Sequence, residues 1–362
     1  MSDVPIYLDH NATSPPHPAV LDVALPLIQE HWGNTGSAHS LARAPHAAVE
    51  HARGQLATWA GARAKDLVFC SGATEANNLV VLGASGRVLC TATEHPSVLE
   101  AVQLRGGLVL PVDGDGLLDL ECLEEELSKG AGLLSVLAAN NETGVRQDTE
   151  TIYAMAKAAG VPLHLDCAQL VGRHEAPENW DYMTVTGHKA GGLKGAGALL
   201  RRQGLALQAL SYGGGQERGY RAGTLNPAPI ASLGVVATLS HSSEIKTLRD
   251  QLEAACVSLG ARVTGAGAPR LWNTCNVVFE GIQSDMLVVG LDLEGVCASA
   301  GSACSSGAAK ASGVLQAMGI DHSALRLSLG WSTQAQDIAR AIEVLKVVVA
   351  RQRALGSESW HG

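Results

Sequence analysis

Residues 182–195 read YMTVTGHKAGGLKG. An apolar, β-branched run stops at Thr186, and a Gly-His-Lys turn follows. That order predicts a buried strand whose carboxyl end presents Lys189. In open α/β sheets ligands bind at that end. A solitary lysine there reads first as a surface side chain snorkelling to water. The other reading is an amine partly withdrawn from water and able to attack a carbonyl. The surrounding sequence decides between them.

Working outward, similar short apolar runs occur at 67–70, 88–92, 108–112, 133–138, 162–166 and 197–201. Helical patterns lie between several of them, as at 117–129 and 150–160, the second stopped by Gly160 and Pro162. Strand alternating with helix predicts an α/β fold, a mostly parallel sheet covered by helices on both faces. After about residue 243 the texture changes to a smaller α+β unit. It has a polar helix from 244, a strand at 273–279, a helix at 284–295 and a strand at 325–330. The last helix starts near Thr333, where Thr-x-x-Gln has the form of a capping box. The expected division is a large cofactor-binding domain over 15–242, and a small domain made of 1–14 and 243–362.

Of the 362 residues, 46% are apolar and only 4% aromatic, so aliphatic side chains must fill a sizeable core. The net charge of -9 argues against a nucleic-acid partner, which needs Lys and Arg to neutralise phosphates. No apolar run is long enough to span a membrane, and with neither a basic region nor an apolar run in MSDVPIYLDH no signal peptide is expected there. A cytoplasmic protein is expected. Its eight cysteines then read as reduced thiols, and no C-x-x-C pair points to a metal site.

The other strand ends also carry chemistry. HLDCAQ (164–169) ends a strand on Asp166. Pyridoxal phosphate needs a carboxylate beside its ring nitrogen, and Asp166 followed by Lys189 has the order and approximate spacing of such enzymes; an ordinary helix cap explains Asp166 about as well. SGATEANN (71–78) follows a strand and opens a helix. Its first N–H groups, at Ala73 and Thr74, with the Thr74 hydroxyl, suit a phosphate. His95, in TATEHPSVL, could stack on a flat ring or move protons, although a lone loop histidine is usually a surface residue. Asn140 and Asn141, in NNETGV, could bond a phenolic oxygen or simply form a turn. Five such strand ends together are harder to dismiss than any one.

The stretches YLDHNAT, SGATEANN, TEHPSVL, NNETGV, HLDCAQLVG, TGHK, GGGQERGYRAGT, GSACSSG and LRLSLG occur in this order from Tyr7 to Gly330. Together they resemble the cysteine desulfurases, a branch of the class V aminotransferase-like, fold-type I pyridoxal-phosphate enzymes. The resemblance implies a seven-stranded large-domain sheet and a homodimer. It implies that Lys189 carries the cofactor and that Ala73, Thr74, Thr186, Gly187 and His188 contact its phosphate. Asp166 would pair with the ring nitrogen, and Gln169 and Asn141 would lie at the phenolic oxygen. His95 would stack on the ring, and Thr224 would reach the neighbouring subunit's cofactor. Arg326 would grip the substrate carboxylate with its fork of donors. Lys189 or His95 would take the α-proton of L-cysteine. The thiolate of Cys304 would then take the sulfur as a persulfide, leave L-alanine, and pass the sulfur to an acceptor such as an iron–sulfur scaffold or a sulfur carrier. The long Ser-, Gly- and Ala-rich stretch around Cys304 resembles the branch with a mobile cysteine loop.

Four positions depart from the common family form: His10, Gly36, Leu193 and Trp331. His10, Asn34 and Trp331 are expected near the substrate entrance, with Asn34 a candidate substrate contact. The rival readings are a selenocysteine lyase or another class V lyase or aminotransferase. A non-catalytic scaffold would be expected to have lost Lys189 or Cys304. A nucleotide-binding module lacks its P-loop.

Overall fold

The computed structural model of the protein describes residues 5–239, 243–301 and 311–358. Cys304 lies outside the described residues.

Thirteen strands are described. β1 (Ile6–Tyr7) pairs in parallel with β11 (Val296–Cys297). The large sheet holds β2 (Leu67–Cys70), β3 (Val88–Thr91), β4 (Leu108–Leu110), β5 (Leu133–Leu137), β6 (Leu163–Asp166), β7 (Tyr182–Thr186) and β8 (Gly197–Arg201). Their spatial order is β2-β8-β7-β6-β5-β3-β4. Every neighbouring pair is parallel except those of β8, which runs against both β2 and β7. β2, β3, β5, β6 and β7 therefore all end on the same edge of the sheet. The second sheet is antiparallel, in the order β12-β13-β10-β9, from β9 (Ala261–Val263), β10 (Thr274–Phe279), β12 (Ser299–Ala300) and β13 (Leu325–Ser328).

Chain connectivity follows the alternation read in the sequence. α1 (Pro18–Gln29) and α2 (Arg43–Trp59) precede β2. α3 (Ala73–Gly83) follows β2, α4 (Pro96–Leu104) follows β3, α5 (Leu120–Ser128) follows β4 and α6 (Thr149–Ala158) follows β5. α7 (Pro227–Val236) lies after β8, and α8 (Ser243–Ser258), α9 (Ser284–Leu293), α10 (Gly313–Ala317) and α11 (Ala335–Glu358) surround the second sheet. β2, β3, β5, β6 and β7 are buried along their whole length, as strands covered on both faces must be. One apolar cluster joins the large sheet to α2, α5, α6 and α7; a second joins Ile6 and Leu8 to α8, α9, α11 and the second sheet.

Two local readings need correction. The Thr333 hydroxyl accepts the Gly330 N–H at 3.0 Å, so it caps no helix. Helix α11 begins at Ala335, and the Asp337 carboxylate reaches back to the Gln334 N–H at 2.8 Å. The reciprocal bond of a capping box is thus made one residue later, by an acid that also suits the positive helix end. His10 is fully buried under Gly330, its Nδ1 2.8 Å from Ser14 Oγ, and so lies away from any entrance. Burial lowers its pKa to about 3.

Candidate active site

The five parallel strand ends open into a cavity of about 870 Å³. Lys189 and His188 come from the end of β7, Asp166 and Gln169 from β6, Asn141 and Glu142 from β5, Glu94 and His95 from β3, and Ala73 and Thr74 from the first turn of α3. Arg326 enters from β13 of the second sheet. Of the residues singled out in the sequence, the cavity wall brings together Ala73, Thr74, His95, Asn141, Asp166, Gln169, Thr186, His188, Lys189 and Arg326.

The close approach of α3 to the sheet depends on a glycine. A Cβ at Gly197 of β8 would stand 2.5 Å from the backbone of Gly72, inside any permissible contact. The helix N-terminus thus faces the cavity with unsatisfied N–H groups, a positive pole suited to an anion. Glu75 accepts the Ser71 N–H at 2.6 Å and an Arg221 bond at 2.8 Å. Burial opposes its charge, but the Arg221 and Ser71 bonds outweigh that and hold its pKa below the usual carboxylate range.

Asp166 is 2% exposed. Its Oδ1 accepts the Ala168 N–H at 2.9 Å and its Oδ2 the Asn77 amide at 2.7 Å. The N-cap reading of the sequence is therefore half right: the side chain does bond a backbone N–H two residues on. Yet among the described residues no salt bridge compensates this buried carboxylate, which faces the cavity. A cationic ring nitrogen in the cavity would supply the missing counter-charge.

Lys189 leaves β7 through a 3₁₀ turn, His188–Ala190, closed by Gly191 at φ 95°. Its carbonyl accepts from Ser14 Oγ at 2.6 Å and from Arg173. His188 is pushed down to about 4 by burial, reinforced by Lys189, Lys194 and Arg173, so it faces the cavity neutral. Arg326 is 1% exposed. Its Nη2 pairs with Asp9 Oδ1 at 2.7 Å and its Nη1 donates to the Asn141 carbonyl at 3.0 Å, leaving Nε buried without a partner among the described residues. Glu142 accepts from Ser312 Oγ at 2.5 Å, and burial raises its pKa.

Other predicted positions lie elsewhere. Gly187 is absent from the wall and packs behind it against Leu233. Thr224 is exposed, outside the chain's own cavity. Asn34 is exposed and caps a local turn, its Oδ1 accepting the Gly36 N–H at 2.9 Å; it does not reach the cavity. Trp331 donates to the Pro15 carbonyl at 3.0 Å and packs edge-on against His17, beside a second, much smaller cavity. The Leu193 N–H donates to Ser232 Oγ at 3.0 Å, a bond that a proline there could not make.

Sequence reasoning missed the residues that hold the others. Asn11 donates to the Asn141 carbonyl and to Thr274 Oγ1, and its Oδ1 accepts from Arg173 and Asn273. Arg173 also bonds Gln169 Oε1 and the His10 carbonyl. Burial and nearby Arg326 lower its pKa to about 9, which leaves it cationic at neutral pH. The one available signal was spacing: Arg173 follows Gln169 by four residues, one helical turn. Among the described residues no cluster of His, Cys, Asp and Glu could hold a metal ion, and no helix is long and apolar enough to cross a membrane.

The family profile of class-V aminotransferases matches residues 6–341. The chain belongs to this family. Within it the chain is 37% identical to cysteine desulfurase 2 of Trichormus variabilis, over 97% of this chain and 94% of that protein. The solved structure of a NifS-like protein from Rickettsia africae superposes with a TM-score of 0.88 at 31% identity, covering 96% of this chain and 99% of that one. A structure described as SspA in complex with cysteine gives 0.79 at 30% identity, covering 89% and 98%. These relatives place the chain among the cysteine desulfurases, with the fold-type I architecture that the sequence implied.

Proposed function

We propose that this enzyme is a pyridoxal-phosphate-dependent desulfurase that takes sulfur from L-cysteine, leaves L-alanine and holds the sulfur as a persulfide on Cys304. The observation that carries this reading is the buried carboxylate of Asp166, in no salt bridge among the described residues, facing the same cavity as Lys189 and Arg326. A structure related to this chain is described as a complex with cysteine, which supports the substrate. When bound, pyridoxal phosphate supplies an electron sink for the α-carbon of an amino acid.

Each residue then has a task set by its chemistry. Lys189 Nζ is the amine that anchors the cofactor and afterwards accepts the α-proton. Asp166 holds the ring nitrogen protonated. The N–H groups at Ala73 and Thr74, with Thr186 and His188, take the phosphate. Gln169 offers its remaining amide proton to the phenolic oxygen, because its Oε1 is occupied by Arg173 and its Nε2 already donates to the Asn11 carbonyl at 3.1 Å. Arg326 turns the donors left over from Asp9 and Asn141 toward the substrate carboxylate. The Cys304 thiolate takes the substrate sulfur as its bond to Cβ breaks, and the thiol proton of the substrate ends on the new methyl group. The reading extends to a homodimer in which Thr224 meets the partner subunit's cofactor. It also includes a sulfur-accepting protein and the division into 15–242 and the remainder.

The test is an absorbance spectrum of the purified protein, followed by assays of sulfide and alanine after L-cysteine and a reductant are added. A yellow protein releasing both in equal amounts is expected. Cys304→Ala is expected to stay yellow and to release little sulfide, and full activity in that variant would contradict the persulfide role.

A further inference from the structure

Two buried residues of the cavity wall, Asn77 and Ser97, have no part in the reading above. Asn77 is fully buried and Ser97 is 8% exposed. Asn77 Nδ2 lies 2.7 Å from Asp166 Oδ2 and 2.9 Å from Ser97 Oγ. Ser97 Oγ lies 2.8 Å from His95 Nδ1, and the Ser97 backbone N–H donates to the same nitrogen at 3.1 Å. His95 thereby caps helix α4.

The direction of this chain follows from donor and acceptor capacity. A carboxylate only accepts, so Asn77 must turn its NH₂ group to Asp166. The cost is visible: Asn77 Oδ1 is buried without a partner among the described residues, because the flipped amide would set oxygen against oxygen. Both Asn77 protons are then committed, one to Asp166 and one to Ser97 Oγ. The Ser97 backbone N–H can only donate, so His95 Nδ1 accepts, and the Ser97 hydroxyl gives its single proton to the same nitrogen. That nitrogen faces two donors and must carry a lone pair.

We infer that Asn77 and Ser97 are positioning residues that lock His95 as the neutral tautomer protonated on Nε2, so that His95 offers the cavity a hydrogen-bond donor and no base. A neutral imidazole so held can polarise an electron-rich atom of a bound substrate, and the α-proton falls to Lys189. Burial lowers the pKa of His95, with Lys189 acting the same way and Asp166 and Glu100 opposing, which agrees with a ring that stays neutral. The donor role rests on the desulfurase reading; the tautomer does not.

The test uses the full chain labelled with ¹⁵N-histidine, with His95 assigned as the resonance lost in His95→Gln. Near neutral pH a pyridine-type Nδ1 and a pyrrole-type Nε2 are expected. The reverse pattern, or two pyrrole-type nitrogens, overturns the inference. In Ser97→Ala the Nδ1 resonance should move toward that of an unbonded pyridine-type nitrogen, and Ser97→Thr should restore it; an unmoved resonance in Ser97→Ala counts against the chain. For the role, His95→Gln keeps an N–H donor without a base and should retain on the order of tenfold more sulfide release than His95→Phe. Equal loss in both overturns the donor role. A wild-type protein with the expected tautomer but no sulfide release would remove the desulfurase reading and leave the tautomer standing.

Discussion

Asp9 and Arg326, 317 residues apart in the chain, form an ion pair of 2.7 Å at the cavity wall. The pair joins the N-terminal segment to β13 and fixes one arm of the guanidinium. It leaves Nε as the buried donor still to be used. Asp9→Asn keeps the shape and removes the charge, so the fork is no longer aimed. A rise of roughly tenfold in KM for L-cysteine, with a smaller change in kcat, is the expected outcome in steady-state kinetics.

Gly330 sets the position of the buried His10. A Cβ at Gly330 would stand 2.0 Å from His10 Nδ1, so Gly330→Ala must displace the ring. A loss of about 2–3 kcal/mol in urea unfolding is expected. His10→Ala removes the obstacle, and the double variant should recover part of that loss. Simple additivity of the two losses would show that the steric account is wrong.

The stretch Gly213–Thr224 is tied down by Glu217. Its carboxylate meets Arg53 at 2.7 and 3.0 Å and accepts the Phe69 N–H at 2.8 Å, all buried. Glu217 and Arg218 both hold positive φ, at 46° and 58°, without being glycine, so the anchor bears on a strained turn. Glu217→Ala leaves the buried Arg53 with the half-exposed Glu50, at 3.1 Å, as its remaining ion-pair partner among the described residues and should cost on the order of 1.5–3 kcal/mol, read as a fall in Tm. Retained Tm would show that the turn does not depend on this pair.

Much of the large sheet was legible because its strands are short, mostly apolar and punctuated by helix signals. The polar residues at five strand ends could be placed on one edge because parallel strands share a direction. What escaped were residues whose meaning is purely tertiary. Asn77 looks like any polar residue in a second helical turn, and Ser97 like any second helix position; only packing shows that they bridge Asp166 and His95. His10 and Trp331 were drawn toward the entrance by their departure from a pattern, and a pattern carries no coordinates.

Acid should weaken the fold through His164. It is fully buried between Ser135 Oγ at 2.8 Å and Thr184 Oγ1 at 3.0 Å, and burial lowers its pKa to about 4. The unfolded chain binds a proton near pH 6.5 that the native state refuses until about 4. Stability from this group is therefore full above the unfolded value and is lost as pH falls between the two, by roughly 3 kcal/mol. A pH series of Tm should show a shallower acid slope in His164→Asn; an unchanged slope would assign the loss to other groups.

The central claim is that Lys189 carries the cofactor in this cavity. Borohydride reduction of protein expressed with ample vitamin B6, followed by mass spectrometry of the peptides, tests it most directly. The account predicts a pyridoxyl phosphate mass on the peptide holding Lys189 and its disappearance in Lys189→Ala. An unmodified Lys189, or an adduct on another lysine, would contradict it.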